Sequence, residues 1–564
     1  MFLFSVWLLG CLAEASSYVM VARDAHRFWP LVQWLEARPN QVGPVTVLPN
    51  LKMVLFPEFR NPKHVLPLLQ KMPGVVTLEP NHFRYWRIKP SRLTTVDGLV
   101  VTWSAEDFGG GTILPFNLFR KKEVDFKASF HEGDVSSALR AIRADWVWSK
   151  GYQGQNVRVL VLDTGIDRDH PALSPNIEKI RNFVMDQQQP YAEFDHHGHG
   201  THVAGIIGGR PWKGYSIGVA PRVRLLVGRV CGTDGCSLHS LLSALEWAIA
   251  EKVDIINMSY GTPTASVSEE MALKEAYQHG ITLVALAGNE GDSELNYPAA
   301  YKEVIAVGAI DEHEERANFS NWGSQLDLVA PGVNIWSAVP QGMGREAEVM
   351  VRIEAWSDHP EEAKTTVKHV AASTFLGTPK LDLPVEGGVV FAGLGRPQDF
   401  REDLEVRGQV VLVDRGEIFF YEKAEAAMER GAIALVVVND SDRLFSGALT
   451  RDGSVLPIPV TMIRNSDGRW LKELLQKGYR ITMSVRTFAG DYAGMSGTSM
   501  ATPFVTGVIA LLKSAKPQLT PAEIRNVLKR SARPLNKVAD PYEVGAGLVD
   551  AASAFCVILA SSCP

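Results

Sequence analysis

Two hydropathy patterns alternate through much of this chain, and each predicts its own kind of element. Five runs are apolar on both faces: Val157–Leu162, Val223–Val230, Asp254–Met258, Ile281–Ala287 and Val304–Ala309. Strands without a polar face belong to a parallel sheet covered on both sides. Helical periodicity fills most of the intervals, notably Leu238–Ala250 and Val267–His279, so the pattern predicts a doubly wound α/β domain. Ahead of it the chain reads as an extended start (Tyr18–Ala22), a helix near Trp29–Glu36, a strand pair in Val45–Phe56, a helix at Pro62–Lys71 and a strand at Val75–Glu79. That βαββαβ order is ferredoxin-like. Between about Glu346 and Arg486 the style changes to short strands (Val389–Phe391, Val410–Val413, Ala434–Val438) with a helix at Tyr421–Arg430, and α/β patterning resumes at Gly494. A small inserted α/β domain is expected there. A late helix opens on Thr520-Pro521-Ala522-Glu523, a capping box with proline at its first position.

Length changes this picture only by requiring several cores, since 564 residues exceed what one domain holds. A net charge of -6 and a hydrophobic share of 46% describe folded protein and give no reason to expect nucleic acid or an anionic membrane as partner. Residues 1–15 form an apolar run ending in Ala13-Glu14-Ala15, the form of a signal-peptidase site, which predicts export. No Lys or Arg precedes that run, and it is well short of a membrane span. Leu8-Leu9-Gly10-Cys11 also reads as a lipid-attachment box, and no later stretch is long enough to predict a transmembrane helix. Cys231 with Cys236 and Cys556 with Cys563 form two local pairs. Two disulfides are the favoured reading, other connectivities and free thiols staying open.

Candidate chemistry begins at Met495–Gly507, reading MSGTSMATPFVTG. Ser499 stands where a glycine-bearing turn becomes an apolar helix with Ala501, Val505, Val508, Ile509 and Leu512 on one face. The first N–H groups of a helix lack internal partners, so a developing oxyanion there meets free donors. A lone serine at this place is equally a cap. A hydroxyl becomes a nucleophile only with a base and a group that orients the base. Asp163 ends the strand VRVLVLD in Asp163-Thr164-Gly165-Ile166-Asp167, and His199 lies between glycines in Gly198-His199-Gly200-Thr201-His202. Asn289, in Ala287-Gly288-Asn289-Glu290-Gly291 just past a strand, is placed to donate to an oxyanion. His196, His197 and His202 crowd the same region, but no Glu stands at the spacing of a zinc helix. No metal is predicted there.

The motifs DTGID, HGTHVAG, GNEG and SGTSMATP, with the order Asp, His, Ser, resemble those of the subtilase family of serine peptidases. The resemblance covers roughly Ala138–Gln341 and Gly490–Ala554. It implies that Asp163 orients His199, that His199 serves as base then acid, that Ser499 attacks the peptide carbonyl, and that Asn289 with the Ser499 N–H holds the oxyanion. It further implies that Gly235-Cys236-Ser237 and Ser259-Tyr260-Gly261 pair with an extended substrate. Ala287, Gly288 and Ala299 would wall a first pocket suited to large apolar side chains, with Glu290 near its rim. By the same resemblance, 16–90 is an inhibitory propeptide, 136–345 and 490–564 are the two parts of a catalytic domain of subtilisin type, the second with a C-terminal tail, and 346–489 is a protease-associated (PA) domain. The residues themselves mark 1–15 as a candidate signal peptide and 91–135, with Gly109-Gly110-Gly111 and Arg120-Lys121-Lys122, as a junction. The PA likeness rests on Val410–Gly416 and the Gly431-Ala432 turn. Expected partners are protein or peptide substrates and the chain's own propeptide, at an extracellular or cell-surface location. No cofactor is required for the chemistry. Ala172 and the Arg210-Pro211-Trp212-Lys213 loop depart from a calcium-ligand pattern seen in relatives, which leaves any structural calcium unplaced. Phe504 replaces the family's usual His after Ala-Thr-Pro and is read as packing. A catalytically silent scaffold would have lost a triad residue, and an α/β-hydrolase esterase would carry a Gly-x-Ser-x-Gly elbow with serine first; neither description fits.

Overall fold

The computed structural model describes residues 17–57, 62–81, 83–84, 137–184, 193–212, 218–232, 235–354, 365–375, 377–442, 444, 449, 455–535 and 540–559. The expected leader 1–15, the junction 91–135 and Cys563 lie outside these residues. The described chain divides into two compact units: one holds the N-terminal part, the residues up to Val333 and those from Gly497 onward, and the other holds Asn334–Ser496.

The N-terminal part runs β1 (Tyr18–Ala22), α1 (Ala25–Glu36), α2 (Pro39–Val42), β2 (Thr46–Leu48), β3 (Met53–Phe56), α3 (Pro62–Lys71) and β4 (Val75–Pro80). Its antiparallel sheet has the order β2-β3-β1-β4. One sheet face packs Tyr18, Met20 and Phe56 against Phe28, Leu31 and Leu35 of α1. Helix α1 starts four residues before the sequence expectation because Asp24 caps it, accepting from Arg27 N at 3.0 Å. A short strand β5 (Phe83–Arg84) follows.

Next come α4 (Ser137–Ala141), α5 (Ala144–Ser149), β6 (Arg158–Asp163), β7 (Ile177–Asn182), α6 (His199–Gly208), β8 (Arg224–Arg229), β9 (Cys231–Gly232), β10 (Gly235–Ser237), α7 (Leu238–Glu251), β11 (Ile255–Met258), α8 (Val267–Gln278), β12 (Thr282–Leu286), β13 (Val304–Ile310) and β14 (Leu328–Pro331). Seven strands form one sheet in the order β14-β13-β12-β11-β6-β8-β7, and all its pairings are parallel. Val159 to Leu162 of β6 are fully buried, each such side chain contributing about 1.5–3 kcal/mol of transfer energy. Chain order reverses on either side of β6, which pairs with β8 on one flank and β11 on the other. Open α/β sheets bind ligands at such a switch point, at the carboxyl ends of their strands. Helices α7 and α8 start on serine caps: Ser237 accepts from Ser240 N at 3.1 Å and Ser266 from Glu269 N at 3.2 Å.

The second unit contains β15 (Ile335–Ala338), β16 (Gly344–Glu354), β17 (Thr365–Val370), β18 (Ala372–Thr374), β19 (Val385–Phe391), β20 (Val410–Asp414), α9 (Phe420–Glu429), β21 (Ala434–Val438), β22 (Val460–Ile463), α10 (Asn465–Gln476), β23 (Arg480–Gly490) and β24 (Tyr492–Met495). Eight strands make one sheet in the order β17-β16-β23-β19-β20-β21-β22-β18. Its mixed character is plain at β19, which is parallel to β20 and antiparallel to β23. Alternate residues of β20 and β21 enter two cores: Val411, Val413, Leu435 and Val437 on one face, Val410, Leu412, Val436 and Val438 on the other.

The chain returns to the first unit in α11 (Thr498–Ala515), α12 (Pro521–Ser531) and α13 (Ala551–Leu559). The capping box of α12 is formed, with Glu523 N donating to Thr520 Oγ1 at 3.3 Å and Thr520 N to Glu523 Oε2 at 2.8 Å. Helix α11 departs from the one-faced reading, because every residue from Thr498 to Lys513 is buried. Its polar members are satisfied internally: Thr502 donates to the Thr498 carbonyl and Thr506 to Asn257 Oδ1, each at 2.8 Å. Phe504 is buried within this helix.

Candidate active site

The last residue of β6 and the first of α6 are brought together by the absence of a side chain. A Cβ at Gly200 would stand 2.2 Å from the Gly165 carbonyl oxygen, so only glycine lets α6 press its first turn onto the end of β6. There Asp163 Oδ1 lies 2.7 Å from His199 Nδ1 and also accepts from Thr164 N at 2.8 Å. Both side chains are buried. A carboxylate on Nδ1 fixes that nitrogen as the donor and leaves Nε2 with the lone pair.

A residue not singled out in the sequence organises this turn. Asp195 is fully buried, and its carboxylate accepts from Thr164 Oγ1 (2.8 Å), His197 N (3.0 Å), Gly198 N (2.8 Å), Thr201 N (2.8 Å) and Thr201 Oγ1 (2.7 Å). Thr164 Oγ1 in turn accepts from Gly200 N at 2.9 Å. One carboxylate thus ties the strand end carrying Asp163 to the helix start carrying His199. The only available signal was its position four residues before His199 in a loop of glycine and histidine. His197 and His202 are buried. Among the described residues no group of three or more His, Cys, Asp and Glu is arranged to hold a metal ion.

Ser499 is the second residue of α11, where the backbone N–H has no carbonyl of its own helix to meet. Its hydroxyl donates to the Ser259 carbonyl at 3.3 Å, and its own carbonyl accepts from Ser259 Oγ at 3.0 Å. Asn257, at β11, donates to Ser259 Oγ at 3.0 Å. The segment Ser259–Gly261 is therefore bonded to the start of α11. Asn289 follows β12 and faces the same helix start, its Oδ1 accepting from Thr498 N and Thr498 Oγ1, each at 2.8 Å. With the oxygen occupied, the Nδ2 donors are the end left to turn toward a ligand. Glu290, expected near the pocket rim, has one oxygen tied inward: Oε2 accepts from Asn289 N (2.9 Å), Asn296 Nδ2 (3.1 Å) and Asn321 Nδ2 (2.9 Å). Ala287 and Ala299 are buried. Gly288 adopts φ +124°, and a Cβ there would meet Asn321 Nδ2 at 2.2 Å.

Strand β10, holding Gly235, Cys236 and Ser237, is the middle of a three-stranded sheet of order β5-β10-β9. Arg84 and Phe83 of β5 lie opposite Cys236 and Ser237 in antiparallel register. Cys236 is disulfide-bonded to Cys231; Cys556 is also disulfide-bonded. The N-terminal part makes further polar contacts with α7 and α8. Glu79 accepts from Ser268 N at 2.6 Å and from Ser268 Oγ at the start of α8. Glu246 of α7 accepts from Asn50 N, Asn50 Nδ2 and Leu51 N. His239 Nε2 lies 2.9 Å from the Tyr18 carbonyl, its Nδ1 lies 3.3 Å from Ser17 Oγ, and its N–H donates to Asn81 Oδ1 at 3.0 Å. Burial there drives the His239 pKa down to about 4, the Tyr18 carbonyl opposing the shift.

At Ala172 the backbone oxygen accepts from Arg210 N at 2.8 Å, and Asn176 Oδ1 accepts from Arg210 Nε at 2.8 Å. Burial, and next Arg222, hold the Arg210 guanidinium below its usual pKa. The Ala172 oxygen is thus taken by a backbone N–H and the Asn176 oxygen by a guanidinium, which is a poor setting for a divalent cation.

The sequence model of the Subtilase family matches residues 154–373 and 472–547, and that of the PA domain matches 384–471. The chain is 42% identical over 215 residues to the major intracellular serine protease of Bacillus subtilis, a stretch covering 37% of this chain and 67% of that protein. It is 40% identical over 225 residues to subtilisin E of Bacillus subtilis, covering 39% and 58%, and 41% identical over 213 residues to subtilisin of Bacillus pumilus, covering 37% and 76%. In fold it resembles the crystal structure of the psychrophilic subtilisin-like protease Apa1 from the Antarctic psychrotroph Pseudoalteromonas sp. AS-11. That match has a TM-score of 0.57 at 23% identity, over 76% of this chain and 98% of the other.

Proposed function

The chain belongs to the subtilase family of serine-type endopeptidases, with a PA domain inserted in it, and from that premise we propose that it hydrolyses peptide bonds of proteins through Ser499, His199, Asp163 and Asn289. The observation that carries this reading is the buried 2.7 Å contact between Asp163 and His199, which sets the tautomer a general base needs. Ser499 Oγ turns about χ1 from the Ser259 carbonyl to His199 Nε2, gives up its proton there and bonds to the substrate carbonyl carbon. The oxygen that becomes negative is held by Asn289 Nδ2 and the Ser499 N–H. The carbon–nitrogen bond then breaks, with His199 passing its proton to the leaving amine. A water, deprotonated by His199, adds to the acyl-enzyme, and collapse returns the proton to Ser499.

Substrate backbone adds to β10 and to Ser259–Gly261 as an extended strand. Ala287, Gly288 and Ala299 leave the first pocket open to large apolar side chains with broad tolerance. The N-terminal part is an inhibitory propeptide, a reading supported by β5 lying on the strand a substrate would use. Residue types at Ala172 and Arg210 support turnover without calcium at that loop. A disulfide at Cys231–Cys236 favours an oxidising, extracellular setting, although one relative is named as intracellular.

Wild type and Ser499→Ala, expressed in parallel, test the proposal. Wild type should digest casein and release a shorter mature chain, whose mass and N-terminal sequence give the processing site. Ser499→Ala should do neither. Casein digestion by the variant would overturn the assignment of the nucleophile, and normal processing in it would overturn self-cleavage. Strict selection for Arg or Lys in a peptide library would remove the apolar-pocket reading.

A further inference from the structure

Strand β10 serves two neighbours at once. On one edge it pairs with β9, Gly235 opposite Gly232 and Cys236 opposite Cys231, and a disulfide joins the second pair. Its other edge carries β5, with Cys236 opposite Arg84. One residue is thus both a register partner of the docked segment and an anchor of a cross-link. The ladder itself is weak. A hairpin of this length is marginal in water, and glycines at 232 and 235 leave the strands short of packing and of conformational restraint. Gly235 also takes φ +109°, so its backbone gains nothing from an L side chain's preference for the extended region.

We propose that the Cys231–Cys236 disulfide is a specificity-determining element that holds β10 extended before a peptide arrives, so that it strengthens binding of peptides long enough to reach this strand and leaves shorter ones unaffected. The proposal rests on the peptidase reading and on β10 as a peptide-docking edge. Pre-forming an edge raises affinity by removing the ordering cost from the binding step. Cleavage of the bond by dithiothreitol consumes one dithiol, which closes to its cyclic disulfide, and yields the Cys231 and Cys236 thiols. The effect is therefore reversible on reoxidation.

Two substrates with the same residue before the scissile bond test it, one with a single residue N-terminal to that position and one with five more. In Cys231→Ser and Cys231→Ala, KM for the long substrate should rise roughly tenfold, the size expected when one ordering cost of ordinary magnitude returns. Its kcat, and both constants for the short substrate, should stay near wild type. Wild type treated with dithiothreitol, with Cys556→Ser assayed in parallel to discount the disulfide at Cys556, should follow the variants and recover on reoxidation, a result independent of how well the Cys231 variants fold. An unchanged KM for the long substrate would overturn the proposal, as would an equal loss on both substrates. Wild type inactive on both would defeat the peptidase reading, and this proposal with it, whereas active wild type with unaltered variants defeats the proposal alone.

Discussion

Two parts of the first unit are fastened to the same sheet and helices in opposite ways. Around Ser499, the links of Ser259 to the Ser499 carbonyl, Thr506 to Asn257 and Asp195 to five donors are buried fastenings, and that of Thr498 to Asn289 is a part-buried one. The N-terminal sheet is held by a carboxylate at the start of α8, a carboxylate of α7 on Asn50 and Leu51, a histidine on Tyr18, and the Lys52–Glu275 pair at 3.4 Å with both partners partly exposed. The first set cannot be undone without opening the core. The second, apart from the buried His239–Tyr18 bond, which only protonation weakens, is made of exposed or part-buried contacts that water and salt can replace. If the N-terminal part is the propeptide proposed above, permanent geometry and removable cover differ in the chemistry of their contacts as well as in their place in the chain.

The sharpest way to break the buried side is Asn289→Leu. It removes the Nδ2 donor together with the acceptor of Thr498 N and Thr498 Oγ1, so folding is checked by circular dichroism; turnover should fall by about 100- to 1000-fold with KM little changed, the figure known for the like donor in subtilisin. Steady-state kinetics on a peptide ester, corrected by active-site titration, measures it, and a loss below about tenfold would show that Asn289 is not an oxyanion donor.

On the removable side, His239 gives a pH dependence. Its pKa is about 4 when the N-terminal part is docked, against 6.5 for an ordinary imidazole. The neutral form is favoured by docking, so the contribution is fully present above pH 6.5 and is lost as pH falls toward and through 4. A difference of 2.5 units limits the weakening to about 300-fold. His239→Gln should flatten this dependence. Gel filtration of the processed protein at pH 7 and pH 4.5 reads it, and equal dissociation of wild type and variant at pH 4.5 would count against the histidine.

The smallest effect is expected from Glu246→Gln, which keeps one acceptor oxygen, for Asn50 or for Leu51 N but not both, and removes the charge. About 1 kcal/mol is at stake for a charge-assisted bond at a partly exposed position, or roughly fivefold in the docking constant. A change beyond about thirtyfold would place Glu246 among the core fastenings.

Much of this was readable in single windows of sequence. The apolar strands, the cap at Thr520 and the motifs around Asp163, His199, Asn289 and Ser499 are local patterns with local causes. What escaped depends on neighbours distant in the chain. Strand β7, IEKIRN, is a sheet edge with partly exposed residues throughout, so it lacks the doubly apolar run that marks its partners. Strand β14, LVAP, has four residues and a proline, too few to show any period. In the second unit, β16 and β23 pair over eleven residues, but neither is among the strands read from the sequence, and β16, GREAEVMVRIE, is interrupted by charged residues. Asp195 looked like one more polar loop residue; only the folded turn shows five donors converging on it.

The pairing of β5 with β10 bears also on how the chain survives its own folding. A short strand with one unpaired edge offers N–H and C=O groups to any extended segment it encounters, including those of other copies still unfolded. While Phe83 and Arg84 occupy that edge, a newly made chain presents no such template there. On the proposal that the N-terminal part is released by self-cleavage and that peptides dock on β10, this cover limits association between chains during synthesis and exposes the surface only once the molecule around it has finished folding.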